Sequence, residues 1–224
     1  MDSDVVLPSG WIEKALNILE KNKSLGGVGG PGISYKKNVI SESLDLLLFG
    51  ITQERGFVDS IATMDVVYKR EAIKGLYFDE ELFAGEDPEF NLRLRKRGYK
   101  LYFDKKLWVY HYHPLKLFSL LKKWYNYGKS RPLLAKKHKE FRNLGFYLRL
   151  LYIPLMVVFG LISIVMPVFV YFLALQFLLL FGFYFFIGLK RCRGVMVLVF
   201  PSVHTFKQLA HMFGYVVGIR YLIK

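Results

Sequence analysis

Three places in this chain carry side chains suited to phosphate, metal or proton chemistry. Near the N-terminus Asp2 and Asp4 flank Ser3, just before the apolar Val5-Val6-Leu7. A D-x-D offers two hard carboxylate oxygens, the donor type that Mg²⁺ and Mn²⁺ prefer. Further on, Gly85-Glu86-Asp87-Pro88 leads into a helical pattern over residues 89–97 that Gly98 ends. Proline suits a helix start, where its missing N–H would lack a partner anyway, so Asp87 is placed at the N-cap with Glu86 just before it. Asp is a favoured capping residue, and taken alone Asp87 reads as an ordinary cap. The third place is Val109-Tyr110-His111-Tyr112-His113. In a strand His111 and His113 face the same side, able to bind a metal or to serve as ordinary polar residues at a strand end.

The elements that must hold these groups alternate between helical and extended patterns. Trp11, Ala15, Ile18 and Leu19 recur at helical spacing, which predicts an amphipathic helix over residues 10–22. A glycine cluster fills positions 26–32, and Gly27, Gly29 and Gly32 formally match G-x-G-x-x-G. A dinucleotide loop needs a strand before it and a helix after it. Here a helix precedes and Ile33-Ser34-Tyr35 reads extended, so the glycines are assigned to a tight turn or to close packing. Strands are expected at 61–68, 100–103 and 107–112.

Charge is distributed unevenly. Residues 1–92 carry a net −7, residues 93–149 a net +15 and residues 150–224 a net +6. With 53% hydrophobic residues and 22% charged, a disordered polyelectrolyte is excluded. The single cysteine, Cys192, excludes an intrachain disulfide and a zinc site of several thiolates. Residues 150–189 contain no Asp, Glu, Lys, Arg or His. About 20 such residues cross a hydrocarbon core of about 30 Å, so this run predicts two transmembrane helices, with Pro167 at the turn between them. Basic residues lie on both flanks: Lys136, Lys137, Lys139, Arg142 and Arg149 before, Lys190, Arg191 and Arg193 after. Both ends are therefore placed in the cytoplasm of a multi-pass cell-membrane protein. Residues 116–149, where Trp124, Tyr125 and Tyr127 lie among lysines, are expected to form interfacial helices touching membrane lipids. A nucleic-acid partner is not expected, because such a protein has no need of the apolar tail. Residues 195–224 suit an interfacial amphipathic helix or a third span, and Gly214 and Gly218 form a G-x-x-x-G that can bring helices close.

In order, D-S-D at 2–4, G-G-V-G-G-P at 26–31, T-M-D-V-V-Y-K-R at 63–70, F-D-E at 78–80, G-E-D-P-E at 85–89, R-x-x-x-R-G-Y at 93–99 and V-Y-H at 109–111 resemble glycosyltransferase family 2. The resemblance covers roughly residues 1–140. It implies an inverting enzyme with an α/β, Rossmann-like GT-A domain, here followed by an α-helical membrane hairpin. It implies that Asp2 and Asp4 hold a divalent metal, Mg²⁺ or Mn²⁺, on the diphosphate of a nucleotide-sugar donor, with His111 as a further ligand. It also implies that Asp87 is the catalytic base and Glu86 its companion. The acceptor would be lipid-linked or membrane-proximal.

The chain departs from the family pattern in two ways. Family members carry about 80–100 residues before D-x-D, the half of the sheet that binds the nucleotide. Residues 1–115 are accordingly expected to be the C-terminal part of an incomplete GT-A domain. On that expectation a different class of function competes: a non-catalytic membrane remnant, or a subunit needing a separate N-terminal chain. The Q-x-x-R-W of processive synthases is also missing, since the corresponding stretch is Leu121-Lys122-Lys123-Trp124. Transfer of one sugar is thus expected over long-chain synthesis.

Overall fold

The computed structural model describes residues 4–51, 54–166 and 168–223. The chain divides into two compact units, Met1–Leu115 and Lys116–Lys224, taken in turn.

The first unit runs β1 (Val5–Val6), α1 (Trp11–Lys21), β2 (Leu25–Gly29), β3 (Gly32–Ser34), α2 (Val39–Ile51), β4 (Arg55–Val58), β5 (Val66–Tyr68), α3 (Arg70–Ile73), α4 (Glu86–Lys96), β6 (Lys100–Asp104) and β7 (Val109–His111). Two sheets result, one ordered β4-β6-β2-β5 and the other β1-β7-β3. Strands β2 and β6 run parallel up to the Gly29–Phe103 pair, and β3 and β7 resume parallel at Gly32–Val109. Only Gly30 and Pro31 lie between the paired segments on one side. The other side accommodates its extra residues in a 3₁₀ turn over Lys105–Leu107. Around these strands β4, β5 and β1 add antiparallel edges.

Most of the glycine cluster is therefore the interior strand β2, with Gly32 opening β3, and not the tight turn that its composition allows. Every residue of β2 is buried, and none of the glycines at 26, 27, 29, 30 and 32 has a positive φ. Close packing is their reason. A Cβ on Gly29 would sit 1.8 Å from the Asp65 carbonyl oxygen, and one on Gly30 would sit 2.5 Å from the carbonyls of Asp104 and Leu107. Helix α1 follows its apolar spacing: Trp11, Ala15 and Leu19 pack with Leu25, Val28, Leu107 and Val109. The Trp11 indole N–H donates to the Leu107 carbonyl at 2.9 Å. A second cluster joins Ile61, Val66 and Ala72 to Phe90 and Leu94 of α4 and Leu101 of β6. Leu101 belongs to this second cluster while Tyr102 packs on the first, so consecutive residues of β6 serve opposite faces of the sheet.

Some expected boundaries change. Residues 61–68 are a 3₁₀ turn over Thr63–Asp65 followed by the short β5. Residues 107–112 contain a strand only over Val109–His111. Helix α4 begins at Glu86, because Gly85 takes the N-cap in a left-handed conformation, φ 85°. Asp87 is thus in the first helical turn and not at the cap.

The second unit is helical: α5 (Leu117–Lys137), α6 (Leu144–Val165), α7 (Val168–Arg191), α8 (Met196–Gly218) and α9 (Arg220–Ile223). Among the described residues one segment is long and apolar enough to cross a membrane, Val170–Arg191, with mean hydropathy 2.2. The stacked rings of Phe159 and Phe172, 6.4 Å between centroids, bring α6 alongside α7. Pro167, the expected turn, lies outside the described residues. Helix α8 packs on α5 backbone to backbone. A Cβ on Gly214 would meet the Tyr125 carbonyl at 1.9 Å, one on Gly218 the Lys129 carbonyl at 2.3 Å, and one on Gly128 the His211 carbonyl at 1.9 Å. The G-x-x-x-G at 214–218 is thus a contact between helices.

Because the Gly29 contact is with main chain, it has no flexible side chain to yield. Gly29→Ala is expected to cost about 3 kcal/mol or more, read as a lowered unfolding midpoint in guanidinium for the detergent-solubilised chain. Wild-type stability in that variant would refute the contact.

Candidate functional site

The antiparallel pairing of β1 with β7 sets Val5 opposite His111, and this register brings Asp4 to the imidazole. His111 Nε2 lies 3.3 Å from Asp4 Oδ2, with the His111 side chain 5% exposed and that of Asp4 47%. A buried nitrogen thus meets a carboxylate that reaches solvent. Asp2 lies outside the described residues. Among the described residues, no three His, Cys, Asp or Glu side chains are grouped to hold a metal ion.

The other edge of the His111 ring is organised by His113, which the sequence pairs with it, and by Asp45 and Ser34, which the sequence did not single out. His111 Nδ1 and His113 Nδ1 are 3.1 Å apart, so one ring donates to the other. His113 is past the end of β7, yet its ring meets that of His111 edge-on at 4.4 Å. Its Nε2 is 4.0 Å from Asp45 Oδ1 on α2. Asp45 in turn accepts from the Ser34 hydroxyl at 2.9 Å and the Ser34 N–H at 3.2 Å. Nothing in the spacing of Asp45 signals this role, because its partners are brought by the sheet.

Asp87 is held by the T-M-D turn. The Thr63 hydroxyl donates to Asp87 Oδ1 at 2.6 Å. Nearby, the Tyr68 hydroxyl donates to Asn91 Oδ1 at 2.8 Å, and Asn91 Nδ2 donates to the Ile61 carbonyl at 2.6 Å. Burial first, and then the negative charge of Asp87, raise the Tyr68 phenol above its ordinary value. Glu86 Oε2 is buried and has no hydrogen-bond partner among the described residues. Glu89 is structural: its carboxylate pairs two-pronged with Arg93 at 2.7 and 2.8 Å. Arg93 and Arg97 also donate to the carbonyls of Tyr77 and Lys74. The loop that precedes Glu86-Asp87 is thereby fastened to α4 and its C-terminal cap.

The same turn reaches the metal-type pair. A Cβ on Gly32 would lie 2.7 Å from the Met64 methyl and 3.3 Å from the His111 Cβ. Met64 therefore occupies the space that Gly32 leaves, beside His111. Asp65 points the third way, accepting from the Gly30 N–H at 3.1 Å. It is fully buried, and its Oδ1 has no hydrogen-bond partner among the described residues. Burial, opposed only by the Gly30 bond, raises its pKa from 3.8 to about 8. The carboxyl is thus largely protonated at neutral pH. Thr63 and Asp65 both lie in the T-M-D-V-V-Y-K-R segment, which was the available signal for them.

Residues 1–189 match the model of glycosyl transferase family group 2, and the chain belongs to that family. It is 26% identical over 178 residues to the dolichyl N-acetyl-alpha-D-glucosaminyl phosphate 3-beta-D-2,3-diacetamido-2,3-dideoxy-beta-D-glucuronosyltransferase of Methanococcus voltae. That alignment covers 73% of this chain and 53% of that protein. The chain thus spans about half the length of the curated relative it matches.

An acid whose pKa is higher folded than unfolded binds more protons in the folded state. Its stabilisation is full below pH 3.8 and is lost as pH climbs towards about 8. Asp65→Asn retains an oxygen for the Gly30 N–H and cannot ionise. Guanidinium midpoints measured from pH 4 to 8 are expected to fall for the wild type more steeply than for Asp65→Asn. Parallel profiles would show that Asp65 ionises normally.

Proposed function

We propose that the chain is the acceptor-activating and diphosphate-holding part of a membrane-bound inverting glycosyltransferase that uses a nucleotide-sugar donor. The observation that carries this reading is the Thr63–Asp87 bond at the head of α4, in a chain of this family. Asp87 takes the proton of an acceptor hydroxyl as that oxygen attacks the anomeric carbon. The bond from the anomeric carbon to the nucleoside diphosphate breaks with its electron pair leaving on the diphosphate, so configuration inverts. Thr63 fixes the orientation of the Asp87 carboxylate, and Glu86 is the companion that positions the hydroxyl.

Asp4 and His111 fit a divalent ion in donor type and spacing. Two neighbouring ligands on an octahedral ion, each at about 2.1 Å, are about 3.0 Å apart, close to the observed 3.3 Å. Asp2, Asp4 and His111 would hold Mg²⁺ or Mn²⁺, which when bound supplies positive charge against the departing diphosphate. The name of the Methanococcus voltae relative specifies a dolichyl-phosphate-linked sugar as acceptor, which supports a lipid-linked acceptor here. Helices α6 and α7 are then a membrane hairpin, α5 and α8 lie at its interface, and the first unit faces the cytoplasm. Transfer of one sugar, not processive synthesis, follows from the missing Q-x-x-R-W.

The test supplies the detergent-solubilised chain with UDP- and GDP-sugars, Mn²⁺ and a polyprenyl-phosphate-linked sugar, and follows release of nucleoside diphosphate. Asp87→Asn is expected to lower kcat by about 10²–10⁴ with KM for the donor little changed. Asp4→Ala is expected to abolish stimulation by Mn²⁺. Turnover that persists in Asp87→Asn would remove the base assignment, and no turnover by the wild type would remove the enzyme reading for this chain.

A further inference from the structure

The second unit contains 16 Lys and Arg residues and one acid, Glu140, and some of this charge converges on a cavity. The cavity, about 320 Å³, is lined among others by Trp124 and Arg131 of α5, Asn143 and Arg149 at the start of α6, and Gln208 and His211 of α8. Among the described residues no Asp or Glu lines it. Its walls are fixed from several sides. Asn143 caps α6, its Oδ1 accepting from the Phe146 N–H at 3.0 Å. The Tyr215 hydroxyl donates to the Phe146 carbonyl at 3.1 Å, joining α8 to α6. Arg149 Nη1 donates to the Gly145 carbonyl at 3.0 Å, which holds the guanidinium along the first turns of α6.

His211 is the informative group. It is 6% exposed, and its Nδ1 is buried without a hydrogen-bond partner among the described residues. Leaving a buried polar atom unpaired is unfavourable, so a ligand that supplies its partner recovers that loss. Burial first, then the charges of Arg131, Arg149 and Lys207, lower the His211 pKa to about 4. Three cations therefore bear on one neutral ring. Lys207 itself is 5% exposed and stands over the Trp124 ring at 4.3 Å. The N-terminus of α6, a 22-residue helix, opens at the same place and adds the positive end of its dipole.

We propose that this cavity is a binding site for a phosphate group, held by Arg131 and Arg149 with Asn143, Gln208 and His211 as hydrogen-bonding partners. Two guanidiniums, amide N–H donors and a helix N-terminus match the oxygens of a phosphate. The phosphate has two possible sources, a prenyl-phosphate lipid and free phosphate. The position of Arg149 favours the lipid, because the chain turns apolar at residue 150 and that boundary is where headgroup phosphates lie. This choice of source rests on the lipid-linked acceptor and membrane hairpin proposed above; the phosphate site itself does not.

The test is binding to the full chain in a non-ionic detergent, by calorimetry, with three probes: decaprenyl phosphate, decaprenol and inorganic phosphate. Decaprenyl phosphate is expected to bind and decaprenol is not. Arg131→Gln/Arg149→Gln is expected to weaken binding at least about tenfold, while Lys122→Gln/Lys123→Gln, which removes equal charge elsewhere on α5, changes it less than about twofold. Arg131→Gln alone leaves the Arg149 bond to Gly145 intact and is expected to weaken binding at least about threefold, which keeps the test valid if the double variant fails to fold. Inorganic phosphate binding as tightly as decaprenyl phosphate, with the same sensitivity to the arginines, would support the site with free phosphate as its source. Equal binding of decaprenol, wild-type binding in both arginine variants, or no binding of either phosphate would overturn it. No sugar is transferred in this measurement, so a preparation that binds but does not turn over counts against the proposed function and not against the site.

Discussion

The first unit depends on how closely two stretches of main chain approach. Where β2 passes the 3₁₀ turn, the backbone of Gly29 and the carbonyl of Asp65 leave no room for a side chain. One residue on, Gly30 passes between the carbonyls of Asp104 and Leu107, at the bend where one sheet gives way to the next. Glycine is a poor strand former by intrinsic preference. Here the buried neighbours of β2 on both faces supply the stabilisation that the glycines themselves do not. The approach places Asp65 in a dry position, and its carboxyl responds by holding its proton.

This contact also explains why the site was only partly legible. Asp4, Asp87 and His111 stand out as residue types in recognisable local settings, and the register of β1 with β7 brings the first and last within 3.3 Å. Which groups support them is not visible at that level. Thr63 is 24 residues from Asp87, and Asp45 reaches His113 only because α2 packs where the sheet puts it. The spacing of Trp11, Ala15 and Leu19 did predict α1, since an amphipathic period is a local property. Strand β2 was missed because its residue types argue against a strand. The start of α4 was misplaced because Asp87 and Pro88 mimic a cap that Gly85 provides through its left-handed φ.

The helical unit shows the same division. An apolar run of 40 residues is plain in the sequence, as is the closeness that Gly214 and Gly218 permit. The partner surface is not, because Gly128 in α5 has no glycine at helical spacing to announce it. Small residues on both helices let the backbones meet, and the large side chains beside them, Trp124, His211 and Tyr215, wall the basic cavity.

Thr63, Met64 and Asp65 are consecutive, and their side chains reach a carboxylate on α4, the space beside Gly32 and the Gly30 N–H just past β2. The two halves of the site are thus tied to one short piece of chain, whose successive residues are about 2 Å of rise apart in a 3₁₀ turn. Such a link acts as a gauge. A single residue inserted into it would shift all three side chains at once.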